Sequence, residues 1–306
     1  MTIYLIRRLL LMIPILLGVT FLTFAISKVT PGDPAQIMLG SRATPERIAE
    51  LHRVLGLDDP FLVQFGRYVW KATQGDLGTS IRTGNPVLRE ILDRFPSTLQ
   101  LTLAALFLTI LGGMSAGVIA AMVKNRILDG SIMFLATLAL SIPQYWLAII
   151  LILFFGLQLK WVSVTGGTEF KDLILPSFCL ALGPGAVLAR LTRSSILEVA
   201  QEDFVRTARG KGLDERVVIT RHILNNALIP IVTVVGLQFS DMLGGAFFIE
   251  NVFARAGLGR FAINSITARD YPEIQGMVLF TAFIYAFLNL VVDLLYNFLD
   301  PRIRYE

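Results

Sequence analysis

Six long apolar runs decide the solvent in which this chain must fold. Leu9 to Ile26, Leu99 to Val123, Ser131 to Leu159 and Leu173 to Ala189 carry no charged residue, while Asn225 to Ile249 and Ile274 to Leu299 carry one each, Asp241 and Asp293. A helix crosses the hydrocarbon core of a bilayer with about 20 mostly apolar residues, so six transmembrane helices are expected. Composition agrees: 54% hydrophobic and 16% charged residues over 306 positions is too apolar for a water-soluble chain. The fold class expected is an all-α integral membrane protein.

Six spans place both termini on one side. Basic residues of short loops tend to stay cytoplasmic. With both termini inside, thirteen Lys and Arg fall on the inner side, among them Arg7, Arg8, Lys124, Arg126, Arg302 and Arg304, against six outside. Pro31 to Pro96 is left out, since a loop above about 60 residues crosses largely regardless of charge. The bias predicts cytoplasmic termini. Arg7 and Arg8 before an apolar run also resemble a signal peptide, but no Ala-x-Ala-like cleavage site follows near Ser27 to Pro31, so an uncleaved anchor is expected.

Between the fourth and fifth runs lies a polar, basic segment, Glu202 to Pro230, that a membrane protein has little reason to carry unless a soluble partner holds it. Asp203 starts a short helix with Phe204 and Ala208 on one face and Arg206 and Arg209 elsewhere; Gly210 and Gly212 end it. Asp214 then caps a second helix containing Val217, Val218 and Arg221. An apolar ridge flanked by arginines suits a groove on another protein. The competing reading is a helix resting on anionic headgroups.

The segment between the first two runs is expected to form a small helical cap on the outer face. Thr44 and Pro45 start one helix, which Gly56 ends; a second follows Asp59 and Pro60, with Phe61, Phe65 and Val69 on one side. These apolar stripes need partners, either as scaffold or as a docking surface.

Enzymatic readings find no support. Gly113 to Gly117 matches G-x-S-x-G, but within a charge-free span its Gly-x-x-x-Gly spacing reads as close helix packing. Gly210-Lys211-Gly212 lacks the Ser or Thr of a phosphate loop. His52 and His222 are far apart, which disfavours a metal centre, and lone Cys179 can form no intrachain disulfide. The net charge of +4 follows topology rather than a compact nucleic-acid face. No internal repeat with matched broken spans points to a secondary carrier.

Polar groups at membrane depth mark a path. Asp241, one turn after Gln238 and followed by Gly244 and Gly245, is expected to face a bundle interior or water-filled route. Pro143, Pro176 and Pro184 each free a carbonyl and permit bending; Gln144 and Tyr145 add polar atoms beside Pro143.

Stretches along nearly the whole chain resemble the inner-membrane permeases of ABC importers of the dipeptide, oligopeptide and nickel class. They are IRRLLLMIP at the N-terminus, TPGDPA at Thr30 to Ala35, LGLDDP at Leu55 to Pro60, GDLGTS at Gly75 to Ser80, RLTRSSILEV at Arg190 to Val199, EDFVRTARGKGL, NLVVDLLY at Asn289 to Tyr296 and DPRIRY at Asp300 to Tyr305. The resemblance implies a type I importer fold and the first of two permease subunits. It implies as partners a second homologous permease, two cytoplasmic ATPases that carry ATP and Mg, and an extracytoplasmic substrate-binding protein; this chain binds no cofactor.

In such permeases the loop matching Glu202 to Pro230 engages the ATPase, which marks Glu202, Asp203, Phe204, Arg206, Ala208, Arg209 and Gly212 as coupling residues. Gly212 matches the glycine of the family's Glu-Ala-Ala-x-x-x-Gly motif, whereas Arg206 and Thr207 replace its Glu and first Ala. Ala254-Arg255-Ala256 stands where relatives often carry Trp-Pro. The organisation expected is 1–97 for the first span and periplasmic segment, 98–299 for the transmembrane domain, and 300–306 for a cytoplasmic tail. Small peptides are the expected cargo, with nickel or another metal chelate next and an ATP-independent carrier last. Pro143, Gln144, Tyr145, Gln238 and Asp241 are the expected path residues.

Overall fold

A computed structural model describes residues 2–29, 32–40, 43–162, 166–167 and 169–299. Thr30 and Pro31 of the TPGDPA stretch and the whole Asp300–Tyr305 tail lie outside these residues. The helices are α1 (Thr2–Val29), α2 (Pro34–Leu39), α3 (Pro45–Leu55), α4 (Phe61–Thr73), α5 (Val87–Met122), α6 (Arg126–Ser141), α7 (Gln144–Gln158), α8 (Lys171–Val199), α9 (Asp203–Gly210), α10 (Glu215–Val252), α11 (Leu258–Ala268) and α12 (Tyr271–Leu299). Their dominance is what lipid demands, because no water is present there to satisfy a backbone amide outside a helix.

Five helices are long and apolar enough to cross a bilayer: α1, α5, α8, α10 and α12. The expected third span is divided. α6 and α7 meet at Pro143 with a bend of 96°, so Pro143 breaks the helix outright instead of kinking it, and the pair supplies a sixth crossing only if counted as one broken span. Pro176 and Pro184, by contrast, are absorbed within an uninterrupted α8.

Contacts divide the chain into two compact units, Met1–Pro96 with Arg260–Leu288, and Ser97–Gly259 with Asn289–Glu306. In the first, Phe21 and Phe24 of α1 meet Phe61 and Phe65 of α4 edge to face, with centroids 5.3 to 5.9 Å apart. This is the partner that the apolar stripe of α4 required. Thr44 caps α3, and Gly56 ends it with φ +62°, a left-handed conformation that glycine adopts without steric cost. The loop before α5 is tied down by Asp270, which accepts from Ser80 Oγ at 2.7 Å and from the Arg82 amide at 3.0 Å.

The second unit is built around α8. Its apolar core joins Leu101, Ala105, Ala148, Leu180, Met242 and Ile249. The Gly113 to Gly117 spacing makes the close approach read from the sequence: a methyl on Gly113 would lie 2.5 Å from the Gly185 carbonyl oxygen, and one on Gly117 would lie 2.5 Å from that of Ala189. α5 can carry no side chain at these two crossings.

Candidate functional site

The polar segment between α8 and α10 folds as one short amphipathic helix, α9, held by its underside. Val205 and Ala208 are buried against Ile196, Val218, Ile223 and Ala227. Spacing of three along α9 puts both on one stripe. The expectation had paired Phe204 with Ala208; the inward partner is Val205, and Phe204 turns outward. Glu202, the N-cap residue, and Asp203, Arg206, Arg209 and Gly212 are exposed as well, so α9 presents one aromatic ring among charges while Ala208 anchors it.

The turn after α9 is closed by two devices. Gly212 has φ +75°, and its amide donates to the Arg209 carbonyl at 2.9 Å. Arg209 grips Glu215 across that turn, Nε to Oε2 at 3.1 Å and Nη2 to Oε1 at 2.7 Å. Opposite charges six residues apart around glycines were a signal for this clamp that the sequence reading missed. Asp214 accepts from the Arg216 amide at 2.8 Å, as its capping role required. The second helix, however, is no separate element. It runs through a wider π-helical stretch, Val218–Leu224, directly into the fifth span, so Glu215 onward forms one continuous helix with that span, and α9 joins it through the Gly212 turn.

The residues read as a path divide into two groups. Gln144 and Gln238 converge on Gly183-Pro184-Gly185 of α8. Gln238, buried, donates from Nε2 to the Pro184 carbonyl at 3.1 Å, and a methyl at Gly183 would lie 3.4 Å from Gln144 Nε2. Pro143, Tyr145 and Asp241 instead lie on the surface of this chain. The bundle interior expected for Asp241 therefore belongs to Gln238, one turn earlier.

A further cluster follows the fifth span. Glu250 is fully buried and accepts from the Gly259 amide at 2.7 Å; Arg255, in the Ala-Arg-Ala departure, donates to Ser97 Oγ at 3.3 Å. Burial pulls the Arg255 guanidinium below its ordinary value, against the attraction of Glu250 and Asp172. The arginine thus fills an interior place beside carboxylates. Among the described residues no three His, Cys, Asp or Glu side chains converge as a metal site. What these elements offer is mechanical: α9 is fixed by its underside to residues of α8 and α10 and leaves its other face exposed.

Comparison with known proteins gives this geometry its context. The family model described as binding-protein-dependent transport system inner membrane component matches residues 113–305, and its N-terminal companion matches 1–102. The chain is 42% identical over 330 residues to the dipeptide transport system permease protein DppB of Alkalihalophilus pseudofirmus, covering 99% of each. It is 43% identical over 303 residues to the glutathione transport system permease protein GsiC of Escherichia coli, again 99% of each. A putative peptide transport system permease of Brucella abortus is 41% identical over the full length of both. Among solved structures, the inward-facing MetNI methionine ABC transporter superposes with a TM-score of 0.59 at 16% identity, over 69% of this chain and 96% of that one. That likeness establishes the fold.

Proposed function

The chain belongs to the family of binding-protein-dependent transport system inner membrane components, and from that premise we propose that it is a permease subunit of an ATP-driven importer that moves small peptides by alternating access. Relatives matched end to end and named for dipeptide, peptide and glutathione transport support the cargo class. The observation that carries the mechanism is α9: Val205 and Ala208 anchor it to the bundle while Phe204 and Arg206 face away.

In this reading the exposed face of α9 docks a cytoplasmic ATPase, with Phe204 as the central contact and Glu202, Asp203, Arg206 and Arg209 around it. Gly212 shapes the turn behind it. Two such ATPases supply ATP and Mg, a second homologous permease completes the pore, and an extracytoplasmic binding protein delivers cargo. Both termini and α9 then lie in the cytoplasm and the chain in the inner membrane. Rocking of α10 against α8 changes access at the Gln144, Gln238 and Pro184 crossing, while Pro143, Tyr145 and Asp241 line the face turned to the second permease.

The test is uptake of labelled dialanine and glutathione into proteoliposomes holding the complete complex and its binding protein. Uptake that requires ATP supports the assignment. Uptake by this chain without an ATPase sinks it. Asp241→Asn separates the path role, which predicts an altered KM for amine-bearing peptides; unchanged kinetics remove Asp241 from the path.

A further inference from the structure

The cap between the first two spans carries an observation that a water-exposed lid does not explain. α4 packs against the second half of α1. Phe61 and Phe65 at its start meet Phe21 and Phe24, while Val69 and Ala72 near its end border a hollow shared with Leu16 and Leu17. At about 1.5 Å per residue, the stretch of α4 from Phe61 to Ala72 is some 17 Å long. Leu9 to Ile26 of α1 is free of charge and must occupy hydrocarbon. Phe61 and Phe65 of α4 therefore lie level with Phe21 and Phe24 of that span.

Its outer side fits that depth. Leu62 is 70% exposed, Trp70 68% and Val63 50%. On α1, Leu22 is likewise 61% exposed. The hollow, about 400 Å³, is completed by Phe280 and Phe283 of α12 and is lined almost wholly by apolar atoms. Surfaces of this kind are expensive in water at roughly 25 cal/mol per Å² of apolar area. In a bilayer they cost nothing, and the surrounding acyl chains fill the gap. The polar groups of α4 are paired: Gln64 donates to the Leu57 and Asp59 carbonyls at 2.8 and 2.7 Å, exposed Arg67 pairs with Asp59, and exposed Lys71 lies 4.0 Å from Asp76.

We propose that α4 is a membrane-embedded helix, sunk from the far surface into the leaflet reached by the C-terminal half of α1, with phospholipid acyl chains covering Leu62, Val63 and Trp70 and occupying the hollow beside it. Trp70 is one of only three tryptophans, which makes the test direct. The full-length chain with Trp146→Phe and Trp161→Phe is reconstituted into phosphatidylcholine vesicles brominated along the acyl chain, and Trp70 emission is compared with that in unbrominated vesicles. At least a twofold quenching by bromine, with little effect of aqueous iodide, is expected. Quenching by iodide alone places α4 in water and overturns the proposal. Quenching by neither agent, reproduced in the complete transporter, means that protein covers Trp70 and overturns it equally. Should the tryptophan variants fail to fold, Leu62→Cys in a Cys179→Ala background gives the same decision: a charged maleimide must leave the thiol unlabelled until detergent is added, and immediate labelling in intact bilayers refutes embedding.

Discussion

Arg193 holds Asp129 through two parallel hydrogen bonds, Nε to Oδ1 at 2.6 Å and Nη2 to Oδ2 at 2.7 Å, tying the first turn of α6 to the end of α8. This is the geometry at which a guanidinium outperforms an ammonium. It fixes the end of the broken α6–α7 pair just before the segment that leads into α9.

Cutting that tie should loosen both elements together. Arg193→Ala and Asp129→Ala are each expected to lower the unfolding temperature, and the double variant should lower it by less than the sum of the two single shifts. Thermal unfolding in detergent measures the cycle. Full additivity would show that the pair contributes nothing as a pair, and Arg193→Lys should recover only part of the loss.

The Gly113 and Gly117 crossings leave no room for a methyl group. Gly113→Ala or Gly117→Ala must therefore push α5 from α8, at about 1–3 kcal/mol for overpacking. Gly112, with nothing within 4 Å of an added methyl, is the control. Gly112→Ala should unfold at the wild-type temperature while the other two unfold earlier.

At Gly212 the constraint is conformational. A side chain there meets open space, yet φ +75° costs an ordinary L-residue about 1–2 kcal/mol. Gly212→Val is expected to distort the turn under α9 and lower peptide uptake at least tenfold while ATP hydrolysis by the assembled complex persists. Gly212→Asn, which tolerates the left-handed region, should keep most of the uptake. Equal uptake by wild type and the valine variant would remove the turn from the coupling mechanism.

His52 lies between two carboxylates, Nδ1 at 2.8 Å from Asp58 and Nε2 at 2.9 Å from Asp33, the residue that caps α2. The bonds to Asp58 and then Asp33 raise the imidazole above its ordinary 6.5. For Asp33, burial works upward, but the His52 bond and the Ala35 amide outweigh it and hold the carboxyl below 3.8. A raised histidine contributes fully below about pH 6.5 and loses that contribution as pH rises through its folded value. A lowered aspartate contributes above about 3.8 and loses that contribution as pH falls through its folded value. The clasp is thus complete between these limits. Amide exchange in residues 45–55 should quicken as pH rises beyond 6.5, after correction for intrinsic rates, and His52→Gln should abolish that dependence.

Much of this organisation is legible in the residues because it follows from local rules. Charge-free runs of span length, Thr44 and Asp214 as caps, and Gly56 and Gly212 as left-handed terminators each depend on a few neighbours in sequence, as does the Gly113 to Gly117 spacing. Phe204 shows where such reasoning ends. Phe204 with Ala208 and Val205 with Ala208 are both helical neighbours, and only the position of Ile196, Val218 and Ile223 decides that valine goes inward.

The sequence by itself determined the solvent, the number of apolar runs and the location of a polar helix between two of them, since hydropathy and helix capping act over one segment at a time. Tertiary structure alone decided that Pro143 breaks its span while Pro184 does not, that Gln238 rather than Asp241 turns to α8, and that α4 packs on Phe21 and Phe24 of α1. Each of those outcomes depends on which distant surface is available to satisfy a freed carbonyl, a side-chain amide or an apolar face, and no local pattern specifies that surface.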